Sequence, residues 1–228
     1  MRFNYHTRYR DSFALLRHTD ERVLYGLLLL ALCVLPWVVT PFLLGELAYV
    51  FILCIASLGL MLLTGFTGQV SLGHAAFVAI GAYAHAWCLS KGLPLPLSLL
   101  VAAVLTGTTG LLVGIPAIRV SGLYLAMVTM ASAIIVEQLI GHWTSVTGGF
   151  TGLAVADPRV FGFDLGKPRA FYYLCLALLV AVLLGLLNLL RSAIGRAMVG
   201  VRDSEAAAYA LGIHVQGVKA GAFALSAG

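Results

Sequence analysis

The stretch Ala170 to Leu190, AFYYLCLALLVAVLLGLLNLL, carries 21 residues without a charge. As a helix rising 1.5 Å per residue it reaches about 30 Å, the hydrocarbon thickness of a bilayer. The rest of the chain has the same character: 61% of its 228 residues are apolar and 10% are charged, against about 45–50% and about 25% in soluble domains. A water-soluble fold is excluded. Segments of about ten residues with alternating polarity, the mark of an outer-membrane barrel, are absent, so the apolar runs are helices.

Five further runs precede that one, at Val23–Leu44, Leu47–Leu63, Val70–Leu89, Leu97–Ile118 and Val120–Ile140. The fold class is therefore all-α, a polytopic helical membrane protein with six complete transmembrane spans. Val218–Gly228 opens a further one that eleven residues cannot complete, and the chain reads as a fragment truncated at its C-terminus. Residues 1–22 form a polar N-terminal tail and residues 23–228 a transmembrane domain that is incomplete at its C-terminus. The first run is too long for a signal-peptide core and lacks a cleavage site, so it is retained.

The net charge of +5 does not indicate nucleic acid, because the cations form no face. They fit a topology instead: with the tail inside, Arg2, Arg8, Arg10, Arg17, Arg22, Arg119, Arg191, Arg196, Arg202 and Lys219 are cytoplasmic, and Lys91, Arg159, Lys167 and Arg169 lie outside. That asymmetry places the N-terminus in the cytoplasm. Four cysteines sit singly in apolar stretches, with no spacing that builds a metal site; no metal or cofactor is expected.

Three places bear on function. In Thr64–Phe77, TGFTGQVSLGHAAF, glycines and polar side chains separate two apolar runs. Such a segment is either a broken or re-entrant element lining a substrate path or a tight turn between packed helices. Thr67, Gly68, Gln69, Ser71 and His74 are its pathway candidates. His74 and His85 share a helix face about 16 Å apart, suited to interhelical hydrogen bonds rather than a joint metal site. Glu137, inside an apolar run, either joins the pathway candidates as an intramembrane carboxylate or, within a turn of the boundary, reaches the headgroups and water. Gly107, Gly110 and Gly114 mark a close-packing face.

The third place is Arg191–Gly217, RSAIGRAMVGVRDSEAAAYALGIHVQG. Asp203 or Ser204 caps a short helix there, Glu205 suits its first turn and Gly212 closes it in left-handed geometry. Lying on the cytoplasmic face, that helix fits a groove on another protein, or rests on lipid headgroups.

GFTGQVSLGHAAFVAIGAYAHA (Gly65–Ala86), SGLYLAMVTMASAIIVEQL followed by TGGFTGL, and RSAIGRAMVGVRDSEAAAYALGI resemble, in that order, the LivM-type permeases of branched-chain amino acid ABC importers. The resemblance covers about Gly65 to Gly228 and implies an importer subunit in a bacterial or archaeal plasma membrane. Its implied partners are a second related permease subunit, two cytoplasmic ABC ATPase subunits and an external substrate-binding protein. It implies that Arg202, Asp203, Glu205, Ala206, Ala207 and Gly212 belong to the loop that docks the ATPase. Four residues separate Ala207 from Gly212 where three are usual in the related loop of other importers, which leaves the docking residues open. Family members run on for roughly another hundred residues. Permeases for urea or another small amide or carboxylate share these blocks, so the substrate stays open.

An ion- or proton-coupled carrier or channel is the alternative of another class; it would place more ionisable groups at membrane depth. An enzyme would need a nucleophile activated by a base, or a ligand cluster such as HExxH, and no HExxH occurs in the chain. ATP hydrolysis belongs on a partner, because the Gly166-Lys167 pair is followed by Pro168 and position 161 is Phe161 rather than the glycine of a phosphate-cradling loop. The purified chain alone is expected to show no ATPase activity above a buffer blank in a phosphate-release assay; turnover would contradict this reading.

Overall fold

A computed structural model describes residues 19–117, 120, 122–153, 159–160, 163–164 and 166–228. The first part of the N-terminal tail, Arg119 and residues 154–158 of the expected external segment lie outside the described residues. The elements run α1 (Thr19–Val38), α2 (Pro41–Met61), a π-helical turn (Leu62–Phe66), α3 (His74–Ser90), α4 (Leu95–Ala117), α5 (Leu123–His142), α6 (Thr144–Thr147), a 3-10 turn (Gly149–Thr151), a two-residue hairpin β1 (Arg159–Val160) and β2 (Phe163–Asp164), α7 (Pro168–Arg191), α8 (Ala193–Asp203), α9 (Glu205–Ala210) and α10 (Val215–Ala227).

Among the described residues four helices are long and apolar enough to cross a membrane: Pro41–Phe66, Leu95–Pro116, Leu123–His142 and Pro168–Arg191. Six spans were expected, and the other two apolar runs form helices too short to meet this measure. The first apolar helix, Arg22–Val38, is shorter, because the break falls at Val39-Thr40 rather than near Gly45. Pro41 disfavours helix in the residue before it and suits the first helical position itself. Glu46, which the sequence reading left between two spans, is thereby drawn into α2. At the third run the helix starts at His74, not Val70, and is 17 residues long.

The chain divides into two compact units, one of Met1–Ile52 with Lys167–Arg196, the other of Leu53–Gly166 with Ala197–Gly228. The first has its core between α2 and α7, where Leu44, Ala48 and Phe51 meet Tyr172, Cys175 and Leu176. The Phe51 and Tyr172 rings lie 5.2 Å apart. Pro36 sits inside α1 and has no N–H to give the carbonyl of Leu32, four residues back. The Tyr172 hydroxyl donates to that carbonyl at 2.9 Å, and the Tyr173 hydroxyl to Cys33 O at 2.7 Å. A proline in an apolar helix is tolerated where neighbouring side chains satisfy the backbone it frees, and two adjacent tyrosines do so here.

The second unit is built on close backbone approach. α10 lies along α4, and a Cβ on Gly110 would fall 2.5 Å from Ala227 Cβ and 2.8 Å from Phe223 O. The Gly107, Gly110, Gly114 face therefore receives α10, the partner that the sequence did not supply. α3 packs on α4, where the Ser98 hydroxyl meets His85 Nδ1 at 2.9 Å, the interhelical role expected of that histidine. α3 also meets α5 at Gly73, whose Cβ would lie 2.1 Å from the Thr129 carbonyl oxygen.

Tyr172→Phe is expected to lower thermal stability in detergent by removing one bond of about 0.5–2 kcal/mol. In a Pro36→Ala background, where the Leu32 carbonyl regains its helical N–H, the same change should have at most half that effect. Equal losses in both backgrounds would refute the pairing of Tyr172 with the proline gap.

Candidate functional site

After Met61 the helix widens into its π turn, the chain leaves helical geometry at Thr67, and Gly68 adopts φ +68°. Regular helix resumes only at His74. The polar side chains of this break turn inward: Thr67, Gln69, Ser71 and His74 are all buried. Buried irregular backbone must find partners within the protein. The Thr67 hydroxyl donates to Leu63 O, Gln69 N donates to the same carbonyl at 3.1 Å, and Leu72 N donates to the Thr129 hydroxyl at 3.0 Å. Among the described residues, Ser71 Oγ and His74 Nδ1 alone are buried polar side-chain atoms without a partner.

Two further bonds bind the break to the segment that follows α7. Arg202 Nη1 donates to Gly65 O at 2.9 Å, and Gln69 Nε2 reaches Lys219 O at 3.5 Å. The Arg202 stem covers Gly68 so closely that a Cβ there would stand 3.0 Å from its Cγ. Glycine is thus required at residue 68 twice over, for its positive φ and for this approach.

The helix expected around Glu205 is present as α9. Ser204, rather than Asp203, caps it by accepting from Ala207 N at 3.2 Å, while Asp203 pairs with Arg202 at 2.9 Å. Gly212 takes φ +79°, and Ile213 N returns to Ala208 O at 3.0 Å to close the end. Ala208 faces inward, and Ala206 and Ala207 face outward. Tyr209 and Leu211 stand almost free, 78% and 81% exposed. Beside them a groove of about 680 Å³ runs between Glu205, Tyr209, His214 and Lys219.

Lys219 is the unexpected member. The sequence reading used it only as a topological cation, yet it is buried inside α10 with its Nζ 2.6 Å from Glu205 Oε1. A cation within an otherwise apolar helical run needs an anionic partner, and that rule was the available signal. Tyr209 and Leu211 were missed because their exposure depends on which face of a two-turn helix packs.

Glu137 lies apart from these residues. It sits on α5 and lines a cavity of about 470 Å³ with Ala75, Ala79 and Tyr83 of α3 and with Gly149 and Gly152. Thr67, Gln69, Ser71 and His74 line neither this cavity nor the larger apolar one of about 670 Å³ beside it, where Gly73 contributes to the wall.

A family profile described as "Branched-chain amino acid transport system / permease component" matches residues 42–228. The chain belongs to this permease family. It is 33% identical over 198 residues to the "High-affinity branched-chain amino acid transport system permease protein LivM" of Escherichia coli (strain K12), covering 76% of this chain and 47% of that protein. With the protein of the same name from Salmonella typhimurium (strain LT2) it is 34% identical over 202 residues, with the same coverage. The chain thus spans about half the length of the curated relatives it matches. No solved structure matches it. The permease match begins at the start of α2 and takes in the break, the cavity and the α8–α9 elbow together.

Glu205→Gln leaves Lys219 buried without a counter-charge. Since the Glu205 side chain is 54% exposed, the expected loss of stability is nearer 1 kcal/mol than the several of a fully buried pair. Glu205→Gln with Lys219→Met, which removes both charges, should recover at least half of it in thermal melts. A double variant as unstable as the sum of the two singles would show that the pair is not coupled.

Proposed function

We propose that this chain is a membrane permease subunit of an ATP-driven importer for branched-chain or other hydrophobic amino acids, in a bacterial or archaeal plasma membrane. The single observation carrying this reading is the connection of an exposed, capped helix to a break in an apolar helix. α9 is tied to the break through Arg202 and, by way of Lys219, through Gln69. A force applied to the outer face of α9 reaches Gly65–Gln69 along two routes, one through Arg202 and one through Lys219 and Gln69.

In this reading the elbow lies on the cytoplasmic side, with the N-terminus, and docks one of two ATPase subunits. Tyr209 and Leu211 are its apolar anchors, joined by Ala206 and Ala207 on the same exposed surface. Arg202, Asp203, Glu205 and Gly212 shape the elbow. Exposed aromatic and large aliphatic residues beside a groove are the usual anchors of a protein interface. Glu137 and Gly68 belong to the path, with Thr67, Gln69, Ser71 and His74 forming its packed pivot. A second permease and an external binding protein complete the importer. α1 and α3, short for spans, cross with the four longer helices, giving six. The permease relatives support this reading over a urea or small-amide permease, and over an ion- or proton-coupled carrier or channel. Hydrolysis takes place on the partner, not on this chain.

The test is uptake of radiolabelled leucine by the complete complex in proteoliposomes, with ATP enclosed. Tyr209→Asp with Leu211→Asp is expected to cut recovery of the ATPase on a tagged permease by at least tenfold, with membrane levels of the permease unchanged. Gly212→Val, strained at positive φ, should act in the same direction. Uptake that persists without ATP, or undiminished copurification of the double variant, would overturn the proposal.

A further inference from the structure

The apolar cavity of about 670 Å³ is a groove among α3, α4 and α5, and it opens outward, since Trp87, Leu112 and Leu139 on its wall are exposed. Gly73 lies at one end and Trp87 at the other, which makes the groove about 21 Å long along α3 at 1.5 Å per residue. One leaflet's share of the hydrocarbon core is about 15 Å, so a whole lipid chain fits along it. The composition of the wall decides what does not belong there. No charged side chain lines it. Its Ser and Thr hydroxyls are all engaged by backbone: Thr109 donates to Thr106 O at 2.8 Å, Thr129 to Ala126 O at 2.9 Å, Ser132 to Val128 O at 2.9 Å and Thr147 to Ile140 O at 2.6 Å. A polar guest would lose its water there with nothing to replace it, whereas a hydrocarbon chain has no such loss.

A cation stands at the rim. Lys91 follows the last residue of α3, and its Nζ lies 5.7 Å from the centroid of the Trp87 ring, within reach of a cation–π contact. Among the described residues it pairs with no carboxylate. Tryptophan at the end of an apolar helix marks the headgroup level of a bilayer. The same pairing recurs in the first unit, where the Arg169 guanidinium lies 5.6 Å from the Trp37 ring. Trp87 differs in also forming a wall of the groove, so the cation above it sits where a chain in the groove would carry its headgroup.

We infer that this groove holds one acyl chain of an anionic phospholipid, whose phosphate meets the Lys91 ammonium at the rim. A zwitterionic headgroup brings its own cation to the phosphate, while an anionic one leaves that charge to Lys91. The site requires only that the helices lie in lipid, and it is independent of what the protein transports.

The test places the complete complex in nanodiscs that contain a trace of phosphatidylglycerol with a diazirine midway along one chain, or phosphatidylcholine with the same group. After irradiation, adducts are located by peptide mass spectrometry, and those at residues 77–87 and 105–113 are scaled to all lipid adducts on the complex. Phosphatidylglycerol is expected to label these segments several-fold more than phosphatidylcholine. Lys91→Gln should abolish the preference and Lys91→Arg should keep it; Lys91 is exposed at a helix end, so neither change disturbs a packed interior. Equal labelling by the two lipids would show ordinary bilayer contact and overturn the assignment, as would a preference that survives Lys91→Gln. Absence of adducts in these segments with both lipids would overturn it too, because a partner subunit then covers the groove.

Discussion

An apolar medium offers no water to a peptide group, so every carbonyl and N–H that leaves helical pairing must be met from within the protein. Two departures from regular helix test this rule. In the first unit, Pro36 leaves the Leu32 carbonyl unpaired and Tyr172 takes it, with Tyr173 on Cys33 beside it. In the second, the backbone from Gly65 to Leu72 is met by Arg202, by the Thr129 hydroxyl and by its own return to Leu63. In both cases the rescuing group comes from a helix distant in sequence. The irregularity is therefore what fixes the tertiary arrangement, since the break is stable only while its donors and acceptors stay in place.

That dependence gives the elbow its leverage. Arg202 makes three bonds at once, two to Asp203 and one to Gly65, so its guanidinium bridges its own segment and the break. Lys219 adds a second tie of different kind: its ammonium grips Glu205 while its backbone carbonyl receives Gln69. Guanidinium geometry supplies direction where the buried ammonium supplies a strong point contact. Together they tie the α8–α9 elbow to the break at two points.

Helix existence was legible in the sequence, because long uncharged runs have few other outcomes. The capped two-turn helix was legible as well: Ser204, Glu205 and Gly212 occupy positions whose backbone demands are local. Boundaries were not. Val23–Leu44 is an unbroken apolar run, and what divides it is Pro41, whose effect falls on the residue before it. The partner of the Gly107–Gly114 face was hidden because α10 is distant in sequence and too short to announce itself as a span. For the site, the sequence left a lined path and a tight turn open for Thr64–Phe77; burial of Thr67, Gln69, Ser71 and His74 depends on helices distant in sequence, as does the cavity that Glu137 lines.

The contrast between those two regions has a common origin in α3. Just before its first residue, the absence of a side chain on Gly73 lets the start of α3 touch the backbone of α5 at Thr129. Some ten residues on, about 15 Å along the helix, Ala79 and Tyr83 face Val136 and Ile140 across the cavity. The contacts advance in the same direction on both helices, so α3 and α5 run parallel, touching backbone to backbone at Gly73 and lining a cavity with Glu137 further along. The close contact directly follows the segment that Arg202 and Gln69 hold, so the same short stretch of chain that forms the break also sets how near the two helices come.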